Sequence, residues 1–328
     1  MSVMKYIDLH CDTLMQAFLA GQKDIVHLES AMVDLERLQK GCCMAQFFAI
    51  FMPPVAYRAK LGDALPDDET YISSLTGILK RTIQLHSDVI ALAASRKELE
   101  ENQQADRISA ILTLEDGRAV AGDLSNLERF YQMGIRLISL TWNDANCFGA
   151  PNSLDPAVMN QGLTPFGKEA VSRMNELGIL VDVSHLSDGG FWDVVQLTKE
   201  PFVASHSNCR SLSPHSRNLT DEMIRAVADS GGVVGINFGP EFLAADLQNR
   251  ESTVDLLVAH AKHLASTGGI GCVALGTDFD GITGTFETGE PEKLQVLFYE
   301  LLKAGFSEAE VEQIAFKNAL RVITDILK

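Results

Sequence analysis

Along the chain, short runs dense in Val, Ile, Leu and Ala alternate with longer stretches whose apolar positions recur at helical spacing. That alternation predicts βα units wound around a parallel sheet. The candidate barrel strands are Tyr6 to His10, Cys43 to Phe51, Ile108 to Leu114, Leu137 to Thr141, Ile179 to Ser184, Phe202 to Ser205, Val233 to Asn237 and Val273 to Thr277. Their apolar density suits strands covered on both faces. An α/β fold follows, a (β/α)8 barrel of the TIM type forming a single domain over residues 1–328.

Several intervening helices announce their ends. Thr164 can cap a helix with Pro165 at its first position, and Gly178 stops that helix before the next strand. Ser307 with Glu310 forms a capping box for the last helix, which runs towards Ile326. Thr220 caps another, closed off near Gly231 and Gly232. The segment Pro53 to Asp68, rich in Pro and Asp, reads as a long loop after the second strand. No internal repeat or low-complexity linker interrupts the pattern.

Composition narrows the function classes. With 46% hydrophobic and 22% charged residues the chain can bury a large core. A net charge of -17 repels nucleic acid phosphates and anionic membrane surfaces, so neither is expected as a partner. The amino-terminal segment has no signal-peptide apolar region, and no stretch is long enough to span a bilayer. The six cysteines show neither disulfide-framework nor metal-knuckle spacing. Reduced thiols in a soluble cytoplasmic protein are the expectation.

The chemistry gathers at the strand ends. His10 and Asp12 lie two apart at the end of the first strand, so both can face one metal. Glu115 ends the third strand, His185 the fifth and His206 the sixth. In a (β/α)8 barrel those carboxyl-terminal ends converge on one face, where such barrels place their active sites. Any one of these histidines alone suits a hydrogen-bonded core or surface position. Together, imidazoles and carboxylates with Glu115 able to bridge supply the nitrogen and oxygen ligands that two Zn²⁺ ions accept, with Mn²⁺ or Co²⁺ as substitutes. Asp278, after the eighth strand, is the candidate catalytic base, while Asp280 ahead of Gly281 suits a turn. Arg217 can clamp a substrate carboxylate, with Arg210 competing on the same loop.

The ordered motifs DLHCD, LEDG, LVDVSH, ASHSNCRSLSPHSRN and GTDFDG resemble those of the renal, or membrane, dipeptidase family of the amidohydrolase superfamily. The resemblance covers nearly the whole chain. It implies that His10 and Asp12 bind the first zinc, Glu115 bridges both, and His185 and His206 bind the second. It further implies attack of a metal-bridged hydroxide on the peptide bond of a dipeptide, L-Xaa-L-Xaa or L-Xaa-D-Xaa. Asp278 then moves the proton and Arg217 holds the free carboxylate. Homodimers are common in that family. One departure stands out: family members usually carry His after Leu-Thr at the end of the fourth strand, and this chain has Trp142, followed by Asn143. The indole and the amide can each donate a hydrogen bond there, or Trp142 can simply wall the pocket.

Two rival readings remain at this level. Another amidohydrolase, such as a lactonase, a deaminase or an N-acyl amino acid hydrolase, would commonly bridge its metals with a carboxylated Lys after the fourth strand or hold a single metal. No Lys ends a strand here, and Lys168 falls inside a helix. A barrel reduced to a binding protein would be expected to lack one of the ligands, and all five are present.

Overall fold

The computed structural model of the protein describes residues 3–54, 57–58 and 65–328. Its strands are β1 (Tyr6–Cys11), β2 (Cys43–Phe51), β3 (Ile90–Leu92), β4 (Ile108–Glu115), β5 (Ile135–Ser139), β6 (Leu180–Asp182), β7 (Val203–Ala204), β8 (Val233–Ile236), β9 (Glu251–Ser252), β10 (Val273–Leu275) and β11 (Thr285–Phe286). All pairings within the large sheet are parallel. The sheet closes because β2 pairs with both β1 and β4 while β10 joins β1 to β8. The result is the closed eight-stranded (β/α)8 barrel that the alternation predicts.

Every predicted strand is present, but several end early, and side chains explain why. The β6 ladder stops at Asp182, whose Oδ1 accepts hydrogen bonds from Ser184 N and Ser205 N at 3.0 and 2.9 Å. Past β10, Thr277 N donates to Asp8 Oδ1 at 2.7 Å, and past β8, Asn237 N donates to Asn208 Oδ1 at 3.2 Å. Backbone donors are thus taken from the ladder by buried polar side chains, which frees the chain to turn over the barrel mouth.

Three strands lie outside the predicted set. β3 pairs with Ile108–Ala110 on the edge of β4 that β5 occupies from Leu112 onward. β9 and β11 form a separate two-stranded parallel sheet between the loops after β8 and β10. With two or three residues each, they carry no readable period.

The helix signals act as read. Thr164 Oγ1 accepts from Gly167 N, Gly178 adopts φ 80°, and Thr220 caps Asp221–Asp229. The Ser307–Glu310 capping box is complete. The final helical stretch runs from Glu308 to Ile326 through a π-turn at Gln313–Lys317. Of the loop expected over Pro53 to Asp68, positions 55–56 and 59–64 lie outside the described residues, and Asp68 already opens the helix Asp68–Leu85.

The apolar core leaves the strand ends free for chemistry. Ile7, Ala45, Phe47, Ile111, Leu180, Val203 and Val233, from the first halves or midpoints of their strands, pack with Ile323 and Ile326 of the last helix. Higher up, the barrel closes on glycine. A Cβ at Gly235 or Gly276 would stand 2.0 or 1.8 Å from the Ser205 carbonyl oxygen. Backbone cannot yield as a flexible side chain would. Gly276→Ala should therefore cost about 3 kcal/mol or more in urea unfolding. Gly271→Ala, where nothing among the described residues lies within 4 Å, should stay close to wild type.

His260, on the helix Val254–Gly268, ties two mouth loops together. Its Nδ1 accepts from Cys209 N at 3.2 Å and its Nε2 donates to Leu243 O at 3.0 Å. Burial pushes its pKa from 6.5 down to about 4. The unfolded ring therefore takes up a proton near pH 6.5 that the folded ring refuses until about pH 4. Stability should fall across that window as pH drops, by about 3 kcal/mol from this residue. In a series of urea unfolding curves from pH 7 to pH 4, His260→Gln should show a flatter fall than wild type.

Candidate metal centre and substrate pocket

The barrel mouth brings the sequence-predicted polar residues together. Glu115 is the last residue of β4, and His10 is the penultimate residue of β1. Asp12 sits just past β1 as the N-cap of Thr13–Leu19, so it reaches the site from a helix start and not from the strand. His185, His206 and Asp278 follow β6, β7 and β10 by two or three residues. His185 and Asp278 adopt φ of 67° and 62°. Such backbone costs about 1–3 kcal/mol per residue and persists where surrounding structure enforces it.

Among the described residues three ligand sets emerge, each with its donor atoms within 4.8 Å of one another: His10, Asp12 and Glu115; Glu115, His185 and His206; and His10, His206 and Asp278. Glu115 divides its carboxylate between the first two. Its Oε2 lies 3.4 Å from His10 Nε2, while its Oε1 lies 3.2 and 3.5 Å from the Nε2 atoms of His185 and His206. His10 Nε2 is also 3.4 Å from Asp12 Oδ2. His185 and His206 bring their Nε2 atoms to 3.1 Å. Nitrogens bound to one tetrahedral zinc at about 2.0 Å stand roughly 3.3 Å apart, so the spacing suits a shared cation. Both ring nitrogens of His10 and Oδ1 of Asp12 are buried without a hydrogen-bond partner among the described residues. The residues present fit a pair of divalent cations.

Titration follows burial. Desolvation alone would depress His10, yet the charges of Glu115 and Asp12 hold it well above its ordinary value. Burial, then the positive charge of Arg217 and His10, keeps His185 and His206 well below theirs, in the neutral form that binds metal. Burial raises Glu115. It also lifts Asp278 to about 8, with Asp12 and Glu115 adding to the rise against the pull of His10.

The pocket over these groups, a cavity of about 350 Å³, is lined by Asp12, Glu115, Trp142, Asn143, His185, Arg217 and Asp278. Phe51 packs edge-on against Trp142, with ring centroids 4.9 Å apart. Arg217 is buried, its Nη1 donating to Ser207 Oγ at 2.9 Å and its Nη2 to His206 O at 3.0 Å, while Nε has no partner among the described residues. Burial lowers its pKa to about 10, so it stays charged at neutral pH. Arg210 is committed elsewhere, gripping Asp188 with two nitrogens at 2.7 and 2.8 Å. Of the two arginines on this loop, Arg217 lines the pocket and Arg210 pairs with Asp188. Asn143 Oδ1 lies 3.2 Å from His185 Nδ1.

Asp280 serves the turn, accepting from Thr13 Oγ1 and Met32 N, both at 2.6 Å. A Cβ at Gly281 would stand 2.2 Å from Asp12 Oδ2, so glycine permits the close approach of this turn to the centre. Sequence reasoning passed over Asn237, whose Nδ2 donates to Asp278 Oδ2 at 2.7 Å, although it ends an apolar run as the chosen residues do. His215, in a loop, and Glu241 and Phe242, in the 3₁₀ turn Pro240–Phe242, also line the pocket and carry no such signal.

The whole chain, residues 1–328, matches the family described as membrane dipeptidase, peptidase family M19. A Klebsiella pneumoniae protein described as uncharacterized, from the pqqA 5' region, is 35% identical over 256 residues, 76% of this chain and 93% of that protein. Dipeptidase verJ of Clonostachys rogersoniana is 29% identical over 307 residues, 92% of this chain and 78% of that protein. The solved structure of dipeptidase AC, a metallopeptidase of family M19, superposes with a TM-score of 0.89 at 25% identity, over 99% of both chains. The chain belongs to the membrane dipeptidase family, peptidase family M19, and with it to the metallo-dipeptidases.

Proposed function

We propose that this pocket hydrolyses the peptide bond of dipeptides, L-Xaa-L-Xaa and L-Xaa-D-Xaa, with two zinc ions, for which Mn²⁺ or Co²⁺ can substitute. The observation that carries the reading is the division of Glu115 between two nitrogen donor sets. His10, Asp12 and Glu115 would hold the first ion, and Glu115, His185 and His206 the second. Bound divalent cations polarise a carbonyl oxygen and make a nearby water more acidic.

The remaining work falls to side chains. Arg217, buried and with an unpartnered Nε, takes the substrate's free carboxylate and sets the distance to the scissile bond. That contact selects dipeptides over longer chains. Asp278 is held in place by Asn237; the charge of bound cations would favour its carboxylate form, which accepts a proton from the attacking water and delivers it to the departing amine. Trp142 walls the pocket beside Phe51, and it and Asn143 can supply donors to the charge that develops on the carbonyl oxygen.

Residues 1–328 act as one catalytic domain in this reading. All six cysteines are free thiols, which suits a reducing cytoplasmic setting. Among the described residues no helix is long and apolar enough to cross a membrane.

Elemental analysis of the purified protein should find close to two zincs per chain. A chelator should abolish hydrolysis across a panel of L-L and L-D dipeptides, and His185→Ala should retain less metal. Two metals with no dipeptide cleaved would sink the substrate assignment while leaving the centre intact. Asp278→Asn should keep its metal and lose roughly 10²- to 10⁴-fold in kcat, the range for a missing general base. An unchanged kcat would remove Asp278 from the proton path.

A further inference from the structure

Asp182, the last residue of β6, is fully buried and plays no part in the mechanism above. Its Oδ1 accepts from two backbone N–H groups, and its Oδ2 accepts from Ser139 Oγ at 2.5 Å and Ser205 Oγ at 2.6 Å. Ser205 Oγ in turn lies 2.7 Å from Nδ1 of the neighbouring His206. We propose that Asp182 and Ser205 are positioning residues that fix the tautomer of His206 and aim its bare Nε2 at the second cation.

Proton supply along this chain of groups sets its direction. A carboxylate only accepts, and a serine hydroxyl has one proton to give. With that proton directed to Asp182, the Ser205 oxygen must accept from His206, which places the ring proton on Nδ1 and leaves a lone pair on Nε2. Ser184 Oγ, 3.3 Å from Ser205 Oγ, already accepts from His206 N, so its own proton is free to fill the remaining lone pair of Ser205. The opposite tautomer would set two acceptor oxygens against each other across 2.6 Å with no proton between them.

The Ser205 carbonyl packs against Gly235 and Gly276, which holds its backbone, and its hydroxyl sits between Asp182 Oδ2 and His206 Nδ1 at 2.6 and 2.7 Å. On the facing ring, the Asn143 oxygen at His185 Nδ1 favours the same tautomer. The two Nε2 atoms then confront one another as lone pairs across 3.1 Å, an arrangement that a shared cation relieves. Partners of this kind orient a metal-binding imidazole and raise its basicity.

The proposal rests on the two-cation reading, but its test does not depend on turnover. The metal-free wild-type chain with ¹⁵N-labelled histidine should show His206 protonated at Nδ1 in long-range ¹H–¹⁵N spectra. A proton on Nε2 overturns the relay, whatever the enzyme hydrolyses. In competition with a chromophoric chelator, Ser205→Ala should bind its more weakly held zinc roughly 10- to 100-fold less tightly than wild type, and Ser205→Thr, which keeps the hydroxyl, should recover most of the loss. Zinc affinity of a folded Ser205→Ala within about twofold of wild type also overturns it. Should that variant fail to fold, the wild-type spectrum alone decides. Wild-type protein that binds fewer than two zincs would count against the two-cation reading, while the tautomer of His206 would still decide for or against the relay.

Discussion

Asp12, Glu115 and Asp278 bring carboxylates into a mouth that leaves them at most 8% exposed. An unpaired charge in such surroundings costs several kcal/mol after relaxation. Much of the local structure answers that cost. His10 stands among the three carboxylates and is drawn towards its protonated form, and Asn237 braces Asp278. The same dryness that burdens the acids keeps His185 and His206 neutral, the form in which an imidazole binds a cation. Cation binding and the stability of the mouth are therefore linked by mass action.

The mouth is built by ending strands early. Buried polar residues at or beside the strand ends, Asp8, Asp182 and Asn208, take backbone N–H groups that would otherwise extend the ladder. The chain can then turn sharply enough to place His185 and Asp278 in left-handed conformations. Gly235, Gly276 and Gly281 allow the approach that follows. Precision at the site comes from the scaffold immediately beneath it, as expected of a centre whose donors must lie within a few tenths of an ångström of their places.

The barrel was legible because buried parallel strands are apolar throughout, and polar residues ending such runs stand out. That contrast picked out His10, Glu115, His185 and His206 from one chain. It could not show where the ladder stops, because the residues responsible lie inside or beyond the runs and act through hydrogen bonds to distant segments. Asp8 and Asp182 look like blemishes in apolar strands until their partners are seen. The residues themselves do not tell Arg210 from Arg217, because the ion pair that engages Arg210 reaches Asp188, twenty-two residues before it in sequence. The short β3, β9 and β11 were invisible for lack of length.

The small sheet of β9 and β11 joins the loop bearing Glu241 and Phe242 to the loop bearing Asp278, Gly281 and Ile282. Val254 N adds a hydrogen bond to Glu287 Oε2 at 2.7 Å, and Thr285 N another to Arg250 O at 2.9 Å. One wall of the pocket is consequently a single mechanical piece drawn from two successive βα units. A residue inserted in either loop would shift both, carrying Glu241, Phe242 and Asp278 together. Phe51, the last residue of β2, and Trp142, just past β5, come from other βα units and form a wall outside this coupled piece.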